Sequence, residues 1–334
     1  MILILFFGFL FGAILQYASL NKYDVIAGLA TLENFTVAKA IAVAIGIGAI
    51  LLSIEIGLGF ASYHIKPFML GGIIGGGLLF GIGMALLGYC PGTLAISLGE
   101  GSLDALIGIL GGLVGGLVYT LIQPSIGIIL SPNLGKISLN SLMETNYIFY
   151  IVVFIFGSIS IWVSFWLHKK DSNKGYKWLY SGIGLAILSA IIFLTSTSNR
   201  PIGASTFYPY FADLITGATN NDYFAKIEKS GSWQLIFLSG AFLAGLLLSL
   251  IKKEFKITLI HSHWEKLKGV SKPKRIIWAF IGGFILIIGA RMTGGCTSGH
   301  ILSGGMQLAI SSLTFTVFVF TGLILTGKFF YHKN

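Results

Sequence analysis

The chain has 334 residues, of which 55% are hydrophobic and only 10% are charged, and its mean hydropathy is +0.86. Apolar runs of roughly 20 residues, long enough to cross the ~30 Å hydrocarbon core of a bilayer, recur along the sequence. This composition excludes a soluble globular protein, and the net charge of +10, which lies mainly in short loops, does not indicate binding to nucleic acid.

Nine membrane-spanning helices are predicted in chain order. The first covers residues 2–20, because no basic segment precedes it and residues 16–18 make a poor signal-peptidase site. The others are expected near 36–60, 68–87, 105–130, 147–167, 178–198, 233–251, 276–292 and 307–327. Short basic loops lie on the cytoplasmic side, and here they are 168–177, 252–275 and the tail from Lys328. The N-terminus is therefore predicted outside and the C-terminus in the cytoplasm.

The predicted helices divide into two halves of opposite orientation within one membrane domain. Residues 1–146 and 178–334 each hold four spanning helices, and residues 147–177 supply a connecting helix and a basic loop. Because one helix lies between the halves, the second half is inverted, as in many transporters. In both halves a glycine stands seven and two residues before a cysteine, Cys90 or Cys296. The predicted fold is an all-α polytopic membrane protein with an inverted-topology repeat.

Four short segments rich in small residues follow spanning helices. They lie near 21–30, 90–99, 201–217 and 296–306. Glycine and proline make continuous helices unfavourable there. Irregular backbone at membrane depth is tolerated only where it is buried in protein or lines a cavity. We therefore predict four short re-entrant helices whose ends meet at a pore.

The two cysteines of the chain open two of these segments. A helix that starts there presents free N–H groups and a partial positive charge, so two facing helix ends would bind an anion. The backbone and hydroxyl donors would be those of Gly92, Thr93, Thr297, Ser298 and Gly299. A thiol is a weak S–H donor that suits a soft sulfur or selenium atom. The alternative is that Cys90 and Cys296 are small buried hydrophobic residues in tightly packed helix ends.

Three basic side chains are further candidates for contact with an anion. Arg291 lies inside an apolar run five residues before Cys296, where a charge is costly and by default a functional candidate; an arginine that snorkels to the interface is the alternative. Arg200 stands at the predicted outer mouth, where it would steer anions or anchor the chain. His300 would share a helical face with Cys296, as a pore-lining or a satisfied interior histidine.

In the first short segment, Asn21 stands at the position that corresponds to Cys90 in the second short segment. Nine residues separate it from the last glycine of residues 8–12, as nine residues separate Cys90 from that of residues 77–81. Its predicted role is substrate contact or, alternatively, an N-cap. Cys296 and His300 supply too few ligands for zinc, so no metal or cofactor is predicted. Arg275 falls in a basic loop, as do His261 and His263, which are predicted to be solvated.

Three stretches carry a family resemblance. Residues 291–300 and 88–93 resemble the two cysteine motifs of the YeeE/YedE family of thiosulfate transporters, and residues 200–210 resemble its second-half outer segment. The resemblance implies uptake of thiosulfate across the inner membrane by transient hydrogen bonds to Cys90 and Cys296. Asn21 stands where the family has a third pore cysteine. A small TusA-like sulfur-carrier protein at the cytoplasmic face is the partner that the resemblance implies.

Other functions compete with thiosulfate uptake. Selenite and sulfite are alternative substrates. A membrane thiol oxidoreductase would use Cys90 and Cys296 as a redox pair, but the sequence has no C-x-x-C motif and no evident haem or quinone ligands. A structural membrane subunit is the third possibility. Direct drive by ATP is not predicted, because no Walker A motif is present.

Overall fold

The computed structural model describes residues 1–143, 146–171 and 173–332, and its regular structure there is helical. The helices are α1 (Ile2–Tyr17), α2 (Tyr23–Ala30), α3 (Thr36–Gly57), α4 (Leu70–Leu87), α5 (Pro91–Gly99), α6 (Leu103–Ile122), α7 (Gly127–Leu130), α8 (Asn146–Lys170), α9 (Lys177–Phe193), α10 (Phe207–Thr216), α11 (Asp222–Ile251), α12 (Ser262–Lys268), α13 (Lys272–Met292), α14 (Ser303–Met306) and α15 (Ile310–Phe330). A π-helical turn, Ser298–Leu302, precedes α14, and a 3-10 turn, Asn140–Leu142, precedes α8.

Seven helices in the described residues are long and apolar enough to cross a membrane. Two more, α1 and α9, are apolar but only 16 and 17 residues long. The predicted all-helical polytopic fold is therefore confirmed, while the count of nine spanning helices stays a prediction. All four predicted short segments contain helical turns, in α2, α5, α10 and the π-helical turn with α14.

Two predicted helices end earlier in the structure. The helix predicted over 105–130 stops at Ile122, because Pro124 has no N–H to continue the hydrogen-bond ladder, and α7 forms separately. The helix predicted over 178–198 stops at Phe193, where Leu194 leaves the helix to form an isolated β-bridge with Ala61.

The helix predicted over 233–251 begins much earlier, at Asp222. Asn221 is the residue that starts it, since its side-chain oxygen accepts a hydrogen bond of 2.8 Å from the backbone N–H of Phe224. A side-chain cap of this kind satisfies one of the free N–H groups at a helix start. The polar first turns of α11 therefore belong to one long helix rather than to the predicted outer loop.

Helices of one predicted half pack mainly on helices of the other half. Helix α1 packs on α11, while α9, the counterpart of α1, packs on α3, the counterpart of α11. In the same way α15 packs on α4 and α6 packs on α13, and α4 and α13 contact each other. These pairs therefore join the two predicted halves.

Glycines allow close backbone contact in two equivalent helix pairs, α1 with α11 and α9 with α3. A Cβ atom at Gly12 of α1 would lie 2.8 Å from the backbone oxygen of Ala241 in α11. A Cβ atom at Gly182 of α9 would lie 2.7 Å from the backbone oxygen of Ala40 in α3. Small residues permit such close backbone contact between membrane helices. The matched glycines support the predicted repeat at the level of side-chain packing.

Candidate functional site

Cys90 begins α5 directly after the break that ends α4. Gly88 ends α4 with φ of +79°, in the left-handed region that glycine adopts without strain. Cys90 itself is extended, and Pro91 takes the first helical position, as predicted. The Thr93 hydroxyl accepts the N–H of Cys90 at 2.9 Å and lies 3.4 Å from its sulfur. Thr93 therefore caps the N-terminus of α5, and its hydroxyl already makes hydrogen bonds within the protein.

Cys296 lies at the end of the turn that follows α13, and it is only 1% exposed. Its sulfur is 3.2 Å from the hydroxyl of Ser298, and the backbone of Ala204 and of Gly299 lies nearby. The backbone of Gly294, with φ of +74°, supplies the reversal that returns the chain to the interior. Residues of two different segments thus surround this thiol.

The structure brings the two cysteine segments together. The side chain of Thr297 and the thiol of Cys296 both lie in the surroundings of the Cys90 thiol. Gly92 lies against the segment that precedes α10, since a Cβ atom there would be 3.5 Å from Ala204. Three of the predicted short segments therefore meet around the two sulfur atoms.

Matched serines tie the short segments together in each half. Ser97 stands seven residues after Cys90, and its hydroxyl donates to the backbone oxygen of Asn21 at 2.8 Å. Ser303 stands seven residues after Cys296, and its hydroxyl lies 3.2 Å from the N–H and 3.5 Å from the oxygen of Ile202. The two halves use the same contact to join their short segments.

His300 is a satisfied interior histidine rather than a pore-lining one. It is fully buried, with Nδ1 2.9 Å from the Ser312 hydroxyl and Nε2 2.9 Å from the backbone oxygen of Thr293. Cys296 precedes the π-helical turn that contains His300. The backbone N–H of His300 donates to the backbone oxygen of Cys296 at 2.8 Å, so the two residues are one helical turn apart, as predicted.

A cavity of about 1540 Å³ opens beside the Cys296 segment. We call it the vestibule. Its basic lining residues are Lys66, Lys136, Arg200, Lys226, Lys229 and Arg291. Among the described residues, no aspartate or glutamate lines it. A concave surface with one sign of charge concentrates small ions of the opposite sign. The arrangement suits an anion.

Both predicted arginines line the vestibule. Arg291 is 8% exposed, and its guanidinium donates to the hydroxyls of Tyr223 at 2.7 Å and Thr206 at 2.9 Å. These partners are neutral, so they leave its charge uncompensated. Arg200 lies over the indole ring of Trp233, with 4.5 Å between the guanidinium carbon and the ring centre. In the part of the chain that the structure describes, the Nε atom of Arg200 is buried and has no hydrogen-bond partner.

Lys66, in the loop between α3 and α4, is a site residue that the sequence analysis missed. Its ammonium group donates to the backbone oxygen of Gly294 at 2.6 Å and lies against the turn that leads to Cys296. A Cβ atom at Gly299 would be 3.0 Å from the same nitrogen. Burial lowers the pKa of Lys66 to about 8. The signal available in the sequence was a lysine in a loop predicted to face outside, because such loops usually carry fewer lysines than cytoplasmic loops.

Asn21 does not act as an N-cap. The N-cap residue of α2 is Lys22, and no side chain caps the helix. Asn21 is fully buried, and its amide nitrogen is 3.2 Å from the hydroxyl of Ser97 and 2.8 Å from a carboxylate oxygen of Glu100. The N-cap alternative is therefore wrong, and the side chain is bound to the far end of the helix that Cys90 begins.

His261 and His263 are largely buried rather than solvated as predicted, and Arg275 is buried as well. Arg275 is fully buried in an ion pair with Asp104, with 2.6 Å between nitrogen and oxygen, and its Nη2 also donates to the backbone oxygen of Leu87 at 2.7 Å. His261 lies 3.0 Å from Asp104 and 3.0 Å from the Tyr89 hydroxyl. A cation near the last carbonyls of a helix also complements its dipole. The cluster covers the end of α4, next to the Cys90 segment.

Comparisons with known proteins cover almost the whole chain. A family model described as sulphur transport (Sulf_transp) matches residues 23–325. The thiosulfate transporter TsuA of Spirochaeta thermophila (strain ATCC 700085 / DSM 6578 / Z-1203) is 25% identical over 335 residues, which covers 94% of this chain and 94% of that relative. The matched region includes both cysteine segments and α3 to α14.

Proposed function

The chain belongs to the sulphur transport family, and from this we propose that it takes up thiosulfate across the bacterial cytoplasmic membrane. The predicted YeeE/YedE relationship is confirmed, and the protein is a transporter rather than an enzyme. The observation that carries the proposal is the position of two neighbouring thiols, Cys296 and Cys90, beside a vestibule lined by cations. Sulfite and selenite are the alternative substrates.

The vestibule would collect the dianion before it reaches the thiols. Lys66, Arg200 and Arg291 would hold its oxygen atoms, because none of the three is bound to a carboxylate within the described residues. From there the anion would pass the turn at Gly294 to Cys296 and then to Cys90. Each S–H group would donate a weak hydrogen bond to the terminal sulfur, and no covalent bond would form.

The direction of transport follows from the basic loops and from the cost of moving charge. We propose that the vestibule faces outside and that residues 168–177 and 252–275 face the cytoplasm. An inward dianion opposes a negative-inside potential by about 4.6 kcal/mol per 100 mV. A cytoplasmic sulfur carrier similar to TusA, which removes the product, would offset that cost. Residues 1–146 and 178–334 would form the two inverted halves around the path.

Uptake of radiolabelled thiosulfate into proteoliposomes tests this function. We expect uptake that excess unlabelled thiosulfate blocks and that sulfate, which lacks the terminal sulfur, does not block. Sulfite and selenite serve as further competitors, and a stronger block by either would reassign the substrate. Absence of uptake for all labelled anions in sealed vesicles that contain correctly inserted protein would contradict the proposal.

Thiosulfate uptake is expected to fall as the external pH rises through about 8, the pKa of Lys66. The folded pKa is lowered, so the ammonium charge is present below that pH and is lost above it, while the anion keeps both charges. Replacement by arginine, which stays charged, should preserve uptake at about pH 9. Lys66→Gln should raise the KM roughly tenfold at neutral pH, since it removes one charge from the anion site.

The arginine variant separates Lys66 from the thiols, which also titrate in alkaline solution. Lys229→Gln is the matched control, because it removes a vestibule charge that is not in contact with the Gly294 turn. A decline of uptake with pH that is identical in wild type and Lys66→Arg would contradict the assignment.

A further inference from the structure

Glu100 follows α5 and is held by three side-chain donors. The amide nitrogen of Gln16 is 2.7 Å from one carboxylate oxygen, and the nitrogen atoms of Asn21 and Lys22 are each 2.8 Å from the other. The Glu100 side chain is only 4% exposed, whereas the Lys22 side chain is 40% exposed. The carboxylate is thus enclosed by protein, and its cation partner reaches solvent.

This cluster lies at the opposite end of α5 from Cys90. Helix α5 has nine residues, which corresponds to a length of about 13.5 Å. Ser97, one turn before Glu100, contacts Asn21 through its hydroxyl. Asn21 also stands at the place that the internal repeat assigns to a cysteine. The cluster therefore lies at the far end of the helix that Cys90 begins, beyond the proposed path past Cys296 and Cys90.

The three donors are those that a small oxyanion requires. Two amide N–H₂ groups and one ammonium group can bind several oxygen atoms at once. The amide oxygens of Gln16 and Asn21 are buried and have no hydrogen-bond partner within the described residues. Leaving them unpaired is unfavourable, and both amides nevertheless turn their nitrogen atoms toward Glu100. The geometry is that of an anion site that the chain fills with its own carboxylate.

We propose that Gln16, Asn21 and Lys22 form a second binding site for small oxyanions, and that Glu100 is a tethered anion that occupies it until a transported anion takes its place. The role in transport rests on the proposed function, whereas the binding site itself does not.

In this arrangement the transported anion enters the site when Glu100 leaves it, and the anion is released when Glu100 returns. A dianion that arrives from Cys90 competes with Glu100 for the same nitrogen atoms, and the returning carboxylate then drives it toward the solvent that Lys22 contacts. Gly101, with φ of +98°, directly follows Glu100 and turns the chain away from α5. An amide at position 21 suits this exchange, because it binds carboxylate and thiosulfate oxygens alike.

Thermal unfolding of the purified protein in detergent tests the site without transport. Glu100→Ala empties the site, so sodium acetate should raise its Tm saturably by at least about 2 °C more than it raises that of wild type. Glu254→Ala, which removes an exposed acid, should respond as wild type does. Adding Lys22→Ala to Glu100→Ala should abolish the extra rise.

Proteoliposomes test the tethered anion in transport. Glu100→Ala should pass thiosulfate at least about fivefold faster than wild type when both are assayed without a carrier protein, and acetate should slow the variant but not the wild type. Glu100→Gln, which keeps the side-chain volume, is used in both assays if the alanine variant does not fold. Loss of the extra acetate response in the folded variant would overturn the site. Absence of thiosulfate uptake by wild type would instead contradict the proposed function and leave the binding result valid.

Discussion

Replacing Cys296 or Cys90 by alanine is expected to lower thiosulfate uptake by about 10- to 100-fold. Each replacement removes the hydrogen-bond donor that faces a charged sulfur atom, and such a bond contributes about 1.5–3 kcal/mol. A difference of 1.4 kcal/mol corresponds to a factor of about ten. The effect should be large at both positions, because the proposed path leads the anion past both thiols in turn.

Serine at the same positions should change selectivity rather than abolish uptake. A hydroxyl is a stronger donor than a thiol but suits oxygen better than polarisable sulfur. The variants should therefore become sensitive to competition by sulfate. Ser189→Ala is the control, since it alters a small, fully buried side chain of α9 with no hydrogen-bond partner in the described structure. Uptake at the wild-type rate by both alanine variants, at equal abundance, would remove the thiols from the mechanism.

Arg275→Met is expected to destabilise the protein by about 3–5 kcal/mol, the largest stability effect that we predict. The change leaves the carboxylate of Asp104 fully buried without its cation, and it removes the donor to the carbonyl group of Leu87. Methionine fills much of the space, so the loss is mainly electrostatic. Tm in detergent should fall strongly, and less folded protein should reach the membrane.

A double variant separates the ion pair from simple packing. Adding Asp104→Asn to Arg275→Met removes the uncompensated charge, so part of the lost Tm should return. Lys252→Met, which alters an exposed lysine at the end of α11, should leave Tm nearly unchanged. If the double variant were less stable than wild type by the full sum of the two single effects, the two residues would not be coupled.

Hydropathy and helix-breaking residues predict most of this fold. Apolar runs indicate the spanning helices, and glycine and proline indicate the breaks at Gly88 and Gly294, because their effects on the backbone are local. The boundaries that failed depend on finer signals. The cap at Asn221 extended α11, and the missing N–H of Pro124 ended α6.

The residues of the candidate site were only partly predictable, because many of their contacts join positions that are far apart in the sequence. Cys90 and Cys296 stand out because they occupy matching places in an internal repeat. Lys66 and Gly294, or Asp104 and Arg275, are far apart in the sequence, and no spacing indicates that they meet. Spacing matched Asn21 to Cys90, but Glu100, which binds the Asn21 side chain, belongs to a different short segment and no spacing indicates it. Contacts of this kind arise only when the two halves pack together.

Because helices of the first half pack on helices of the second half, the first half has to wait for its partners while the chain is synthesised. Helix α1 packs on α11, which leaves the ribosome roughly 200 residues later. At about 5–20 residues per second, the first helices wait in the bilayer for about 10–40 s before their partners arrive. During that time the glycine-lined face of α1 lacks its partner helix, and Asp104 lacks Arg275, its cation. Newly made chains are therefore most exposed to membrane proteases and insertion chaperones before the second half emerges.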